Sequence, residues 1–245
     1  EAIHLLPEMA GSNIHPKIAR VLLERENPEA SLLALRLSGV DWDCVSSTSL
    51  EEAVTVVRVR MECGLMTEAF MYQRMICTKL RDKKQMDQHN EVLQDRPQDW
   101  PLWLEVLVTE ICCLCIRRNM VDRMIELPWN SDEEKHLHKT LLDYATADQA
   151  STAGSLLVVF YLQRYRYAEA YEVDALLQTL EEGFLSKCQE EVLAHKIKSR
   201  NYWRKQIVEQ SVHLLPDVLQ QELKKVKFGV KTGSSPASAK TRSPD

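Results

Sequence analysis

Glycine is scarce in this sequence, with 7 among 245 residues. Two-residue β-hairpin turns draw heavily on glycine for their positive φ angles. A chain this poor in it is not expected to be built from short antiparallel strands. No run of about 18 uncharged apolar residues occurs, so no membrane-spanning helix is expected. The opening residues, Glu1-Ala2-Ile3-His4, carry neither an initiator methionine nor a basic n-region. They do not read as a secretory leader, and the chain reads as a piece of a longer protein.

Chemistry-bearing loops are missing as well. Neither G-x-G-x-x-G nor G-x-x-x-x-G-K-[ST] occurs, nor G-x-S-x-G, H-E-x-x-H or a calcium loop. The sequence therefore assigns no catalytic, cofactor-binding or metal-binding residue in this segment, and no small-molecule substrate. The seven cysteines are Cys44, Cys63, Cys77, Cys112, Cys113, Cys115 and Cys188. Their number is odd and several fall inside apolar helical patterns, which favours reduced thiols in the cytosol or nucleus over a disulfide framework.

What the sequence does contain is helical periodicity. Ser49-Leu50-Glu51-Glu52 reads as a capping box. Behind it Val54, Val57, Met61 and Leu65 form one stripe, ended by Gly64. Pro16 and Pro28 mark earlier helix starts, the second with Leu32, Leu33, Leu35 and Leu37 facing inward. Residues 81–99 are polar and fit a surface helix or a loop. Asp99 with Pro101 opens a strongly apolar helix that Pro128 interrupts, and Ser131-Asp132-Glu133-Glu134 reads as a second capping box, heading Leu137, Leu141 and Tyr144. Residues 151–164 have the β-branched look of a strand but read as helix beside helical neighbours. Further helices are expected over 168–183 and 189–214, with a short one beyond Pro216. The predicted fold is all-α: stacked antiparallel helical hairpins, α-solenoid-like, with a disordered C-terminal tail. Residues 1–11 read as the end of a preceding element, 12–228 as the helical domain, with 187–228 its basic C-terminal helices, and 229–245 as a disordered linker.

An internal repeat supports the hairpins. An apolar helix, a turn, then Glu-aromatic flanking alanine recurs as Glu68-Ala69-Phe70 and Glu169-Ala170-Tyr171, 101 residues apart. The alanine allows close helix approach and the aromatic fills the space beside it.

Charge is unevenly spread. Residues 1–186 hold 19 Lys+Arg against 30 Asp+Glu, whereas residues 187–245 hold 12 against 6. The basic part is either a solvated helix face or a nucleic-acid-binding region. Its run Lys196, Lys198, Arg200, Arg204 and Lys205 encloses Tyr202 and Trp203; a helical spacer with a buried tryptophan is the plainer reading, single-stranded nucleic acid the functional one. The paired acids Glu133-Glu134 and Glu181-Glu182 read as caps and solvated faces. Cys112, Cys113 and Cys115 with His136 and His138 offer zinc-binding chemistry, but cysteines inside an apolar helix read first as core. Trp100, Trp103 and Trp129 read as wedges at helix junctions or as exposed anchors. Ser235-Pro236 and Ser243-Pro244 make Ser235 and Ser243 candidate phosphorylation sites.

The stretch Leu127-Pro128-Trp129-Asn130-Ser131-Asp132-Glu133-Glu134 and the later stretch Gly154 to Tyr171, an apolar helix ending in the tyrosine-rich turn Arg164-Tyr165-Arg166-Tyr167, together resemble the ELYS-like helical domain of nuclear pore assembly proteins. The resemblance spans roughly residues 10 to 190, and within the family it is nearest to plant pore-associated ubiquitin-protein ligases of RING type. It implies a helical scaffold that docks on nuclear pore outer-ring proteins at the nuclear envelope. It also implies a zinc-binding RING elsewhere in the parent, because the paired ligands of a RING are absent here. Chromatin or RNA-associated partners acting through residues 187–245 are the alternative, and the cytoplasm is a second location. The family motif consists of packing residues and carries no catalytic residue over. The candidate partner-binding residues are Trp129, Arg164, Tyr165, Arg166 and Tyr167.

Overall fold

A computed structural model describes residues 17–38, 48–87, 100–221 and 223. Ten helices from Lys17 to Val212, a further helical stretch over 217–221, and no strand lie among the described residues, in accord with the all-α expectation. The helix start at Asn13–Pro16, residues 88–99 and the tail at 229–245 with Ser235 and Ser243 lie outside them. The chain divides into two compact units, residues 1–140 and 141–245.

In the first unit, α1 (Lys17–Glu24) and α2 (Pro28–Leu37) pair, and α3 (Leu50–Glu62) packs against both of them, against α4 (Met66–Asp87) and against α5 (Trp100–Arg117). A helix with neighbours on several sides buries more than one stripe. Ala53, Val56, Val57, Val59 and Met61 are all buried, while Val54 and Leu65 of the expected stripe are only half-buried. In α2 the inward face is shifted from the predicted one and is built from smaller side chains. Ala30, Ser31, Ala34 and Leu35 are buried and Leu32, Leu33 and Leu37 are half-buried. Small side chains bring the α2 backbone close enough for Ser31 Oγ to donate to the Ala19 carbonyl at 2.5 Å.

One turn design closes four helix ends. Glu26, Gly64, Asn119 and Tyr165 all have φ between 54° and 76°. After each of them the next N–H returns to a carbonyl five residues back: Asn27 to Leu22, Leu65 to Arg60, Met120 to Cys115 and Arg166 to Tyr161, at 2.8–3.0 Å. This is the Schellman closure, which satisfies otherwise orphaned helix carbonyls. Only one of the four left-handed positions is glycine, so glycine scarcity hid three of them. The turn at Asn119 also corrects the expected reach of α5 toward Pro128: the helix stops at Arg117 and a separate α6 (Val121–Glu126) follows.

α7 (Ser131–Ala147) contains the boundary between the units. In the second unit, α8 (Ala153–Gln163), α9 (Tyr167–Leu185) and α10 (Glu191–Val212) pack on one another. The strand-like run is α8, with Leu157, Val158 and Phe160 buried. A Cβ added at Gly154 would lie 2.6 Å from Leu177 and 3.1 Å from Ala145, so glycine here permits close approach of α8 to α9 and to the end of α7. The sequence repeat has a geometric counterpart. Gly64 and Tyr165, 101 positions apart, hold the same turn, and Ala69 and Ala170 are both fully buried behind it. Phe70 is buried, whereas Tyr171 is half-buried.

The two capping boxes differ in outcome. Ser49 Oγ accepts from Glu52 N at 3.2 Å and Ser49 N donates to Glu52 Oε2 at 2.8 Å, as predicted. The second box is shifted by one residue: Asn130 Oδ1 accepts from the Asp132 and Glu133 N–H groups, both at 3.0 Å, and Asn130 N donates to Glu133 Oε2 at 2.9 Å. Asparagine caps as well as serine, and Glu133 is the acid held inward by other contacts. Replacing Ser49 or Asn130 by alanine is therefore expected to cost about 1 kcal/mol each. Ser131→Ala, outside the box, is expected to stay within about 0.5 kcal/mol. Urea denaturation of the three variants checks the assignment.

Candidate interaction surfaces

Trp129 sits at the joint between α6 and α7. It is 7% exposed, its indole N–H donates to the Met124 carbonyl at 2.9 Å, and its ring meets Phe70 of α4 edge-to-face at 4.9 Å. Arg74 lies over the Phe70 ring at 4.5 Å and donates from Nε and Nη2 to the Glu133 carboxylate at 2.9 and 2.7 Å. Its Nη2 also donates to the Pro128 carbonyl. The hydrogen bond to Glu133 holds the Arg74 pKa above its ordinary value despite partial burial. Glu133 is 1% exposed, so the reading of this acid as part of a solvated pair is corrected: it joins α4 to the cap of α7. Trp129 is a wedge in the core. The exposed groups at this joint are Pro128 and Asn130. Trp103 is also buried, and Trp100 is half-buried.

The α8–α9 turn presents a different picture. Tyr165 is 80% exposed, and its ring meets Tyr167 edge-on at 6.4 Å. Its neighbours are turned inward. Arg164 stacks over Phe160 at 3.9 Å, and Arg166 stacks over Tyr161 at 4.8 Å while donating to Glu169 at 2.9 Å. Burial acts to raise the Glu169 pKa, but the Arg166 bond and charge, with a backbone hydrogen bond, hold it below the usual carboxylate range. Of the four residues expected here as partner-binding, Tyr165 is the most exposed, while the two arginines fold back on Phe160 and Tyr161.

The basic run on α10 is the reverse of its plain reading. Arg204 is buried, donating to Asp174 at 2.5 Å and to both Glu181 oxygens at 3.0 and 2.7 Å. Arg200 donates to Glu181 at 3.1 Å and to the Ala150 and Ser151 carbonyls at 3.0 and 2.6 Å. Burial disfavours the Arg204 charge, yet its hydrogen bonds to Glu181 and Asp174 outweigh it and raise its pKa. Trp203, one position away and so about 100° around the helix, is exposed together with Tyr202. The predicted buried tryptophan is thus corrected, as is the solvated reading of Glu181. Asp174 and Glu181 lie seven residues apart on the inward face of α9, and this face turns the arginines inward. That spacing, two helical turns within an apolar stripe, is the signal the sequence offered for it.

Cys112 and Cys115 are fully buried, and the Cys115 thiol lies 3.6 Å from Met66 Sδ. Burial pushes the Cys115 pKa up to about 12 and that of Cys112 well above its ordinary value. These thiols act as small core hydrophobes. His136 and His138 are half-buried on α7, and burial lowers the His136 pKa. Among the described residues no group of three His, Cys, Asp or Glu side chains is arranged to hold a metal ion.

The family model described as ELYS: Nuclear pore complex assembly matches residues 1–144. The match includes Leu127–Glu134, and the 154–171 stretch lies beyond it. The E3 ubiquitin-protein ligase HOS1 of Arabidopsis thaliana is 49% identical over 253 aligned positions, which cover 100% of this chain and 27% of that protein. The chain therefore spans about a quarter of the length of this relative. No solved structure matches the chain. With more than half of its residues matched, among them the helices that surround α3 and the Trp129 joint, the chain belongs to the ELYS family of nuclear pore complex assembly.

Proposed function

We propose that this chain is the non-catalytic helical scaffold of a nuclear pore-associated ubiquitin-protein ligase and that it docks the ligase on outer-ring proteins of the pore. The observation that carries this reading is the family match over residues 1–144, joined to 49% identity with a ubiquitin ligase over the whole chain. Ligase chemistry, with its zinc, belongs to a RING elsewhere in the parent protein, and the chain works at the nuclear envelope, in a plant stress-response setting. The domain limits follow the same proposal: one helical scaffold over 12–228 and a linker over 229–245, where Ser235 and Ser243 offer phosphorylation sites.

The docking surface is the exposed tip of the α8–α9 turn, with Tyr165 as its anchor. Tyrosine suits such a role because it offers a large amphipathic surface at low entropic cost. The test is binding of the purified chain to isolated outer-ring proteins. Binding is expected, with Tyr165→Ala weakening it about tenfold or more. A folded chain that binds none of them sinks the proposal.

A second reading, chromatin or nucleic-acid binding through residues 187–245, draws on the exposed Tyr202 and Trp203 beside Lys196 and Lys198. It is weakened because Arg200 and Arg204 are engaged internally. It requires binding that falls steeply with salt.

A further inference from the structure

The α8–α9 turn does not need a tyrosine at its tip. Tyr165 has a φ of 59°, in the left-handed region, where the Cβ of an L-residue crowds the following carbonyl oxygen. The same closure 101 positions earlier uses Gly64, which has no Cβ to crowd. Glu26 and Asn119 share the conformation, but their exposed side chains are a carboxylate and an amide, both suited to water. Tyr165 joins the strained backbone to a large ring that is 80% exposed and meets Tyr167 edge-on at 6.4 Å. Glycine would close this turn with less strain, and the ring adds little packing in return. A bulky residue held at positive φ where the fold gains little from it points to function.

The tip is also ordered before any partner arrives. The Tyr165 N–H donates to the Leu162 carbonyl at 3.1 Å, and the Arg164 and Arg166 N–H groups both return to the Tyr161 carbonyl, at 3.1 and 3.0 Å. On either side of the ring, Arg164 lies over Phe160 and Arg166 over Tyr161. The backbone beneath Tyr165 and the side chains flanking it are therefore fixed in the free chain, which lowers the entropy lost when the ring is bound.

We infer that Tyr165 is retained although it lowers the stability of the turn, because its ring enters a pocket on a folded protein partner. This assignment rests on the docking reading proposed above and adds to it the shape of the complementary site: concave, wide enough for one phenol ring, and formed before binding. A knob on a helix–helix turn offers an extended peptide neither a groove nor a free strand edge, the two surfaces such peptides use. Nucleic acid is disfavoured by charge, since residues 1–186 hold 19 Lys+Arg against 30 Asp+Glu and such a body repels phosphate. An aromatic seated in a pocket is the usual form of a binding hot spot.

Three variants of the 245-residue chain test this by urea denaturation and by titration against isolated outer-ring proteins. Tyr165→Gly is expected to raise the urea midpoint and yet weaken binding about tenfold or more. Tyr165→Phe keeps both ring and strain, and is expected to leave the midpoint in place and retain binding. Asn119→Gly, at the same closure elsewhere, is expected to leave binding unchanged, which separates relaxing a turn from losing the ring. A Tyr165→Gly midpoint that stays or falls overturns the inference, because the residue then is not held against stability. Binding that persists in Tyr165→Gly overturns it alone and leaves the scaffold reading in place, whereas a folded chain that binds none of these proteins removes both. Short linear peptides from the partner, or single-stranded RNA, that capture the chain through Tyr165 also overturn it, since neither presents a preformed pocket.

Discussion

Arg204→Met is expected to lower stability by about 3–5 kcal/mol, the range for removing one partner of a buried ion pair. The magnitude follows from what remains. Asp174 and Glu181 are both at most 4% exposed at the side chain, and Arg204 is the group that contacts both. Methionine fills a similar volume and supplies no donor, so two carboxylates are left in a poorly solvated site with Arg200 reaching only Glu181. Arg204→Lys is expected to recover only part of the loss, because a single ammonium nitrogen cannot reproduce the fork's paired contact with both Glu181 oxygens together with its separate contact with Asp174. Pairing Arg204→Met with Asp174→Asn is expected to cost less than the two single changes summed, since each disables the same contact. Hydrogen exchange read by mass spectrometry localises the effect: faster exchange is expected in α8, α9 and α10, with α3 and α5 unchanged. A uniform change across the chain, or a loss under about 1 kcal/mol by urea denaturation, contradicts the role assigned to Arg204.

This network also shows where sequence reading stops. The helices themselves were legible, because apolar periodicity and the Ser49 capping box are local signals. Even the strand-like α8 was recoverable from its helical neighbours and the repeat. The turn at Gly64 was legible because glycine announces a positive φ, whereas Glu26, Asn119 and Tyr165 take the same conformation without announcing it. Which side of α10 faces inward was not legible. The plainer sequence reading buried Trp203, and two acids on α9 reversed the choice by demanding arginine. The one-residue shift of the second cap has the same origin: Glu133 is fixed by Arg74, 59 residues away in sequence. Long-range charge pairing thus decided the details that local patterns left open. For the candidate surface, the sequence marked the tyrosine-rich turn but did not reveal that both arginines fold back on aromatics and leave Tyr165 to project.

Trp129→Ala separates a core role from a binding role at the joint where sequence allowed both. As a wedge, the ring is enclosed by Phe70 and its indole N–H is spent on the Met124 carbonyl. Truncation then opens a cavity and is expected to cost about 3–5 kcal/mol. Trp129→Phe retains a ring but loses the donor, so about 1–2 kcal/mol is expected. Faster hydrogen exchange should be confined to α4, α6 and the first turn of α7, because Phe70, Arg74 and Glu133 join those segments through this ring and its neighbours. Binding to pore proteins, measured well below the melting transition, is expected to survive Trp129→Phe unchanged. An anchor would behave in the opposite way: both substitutions would leave the urea midpoint in place and weaken binding. The buried indole nitrogen favours the wedge, since its one N–H already donates inward at 2.9 Å and is not available to a partner.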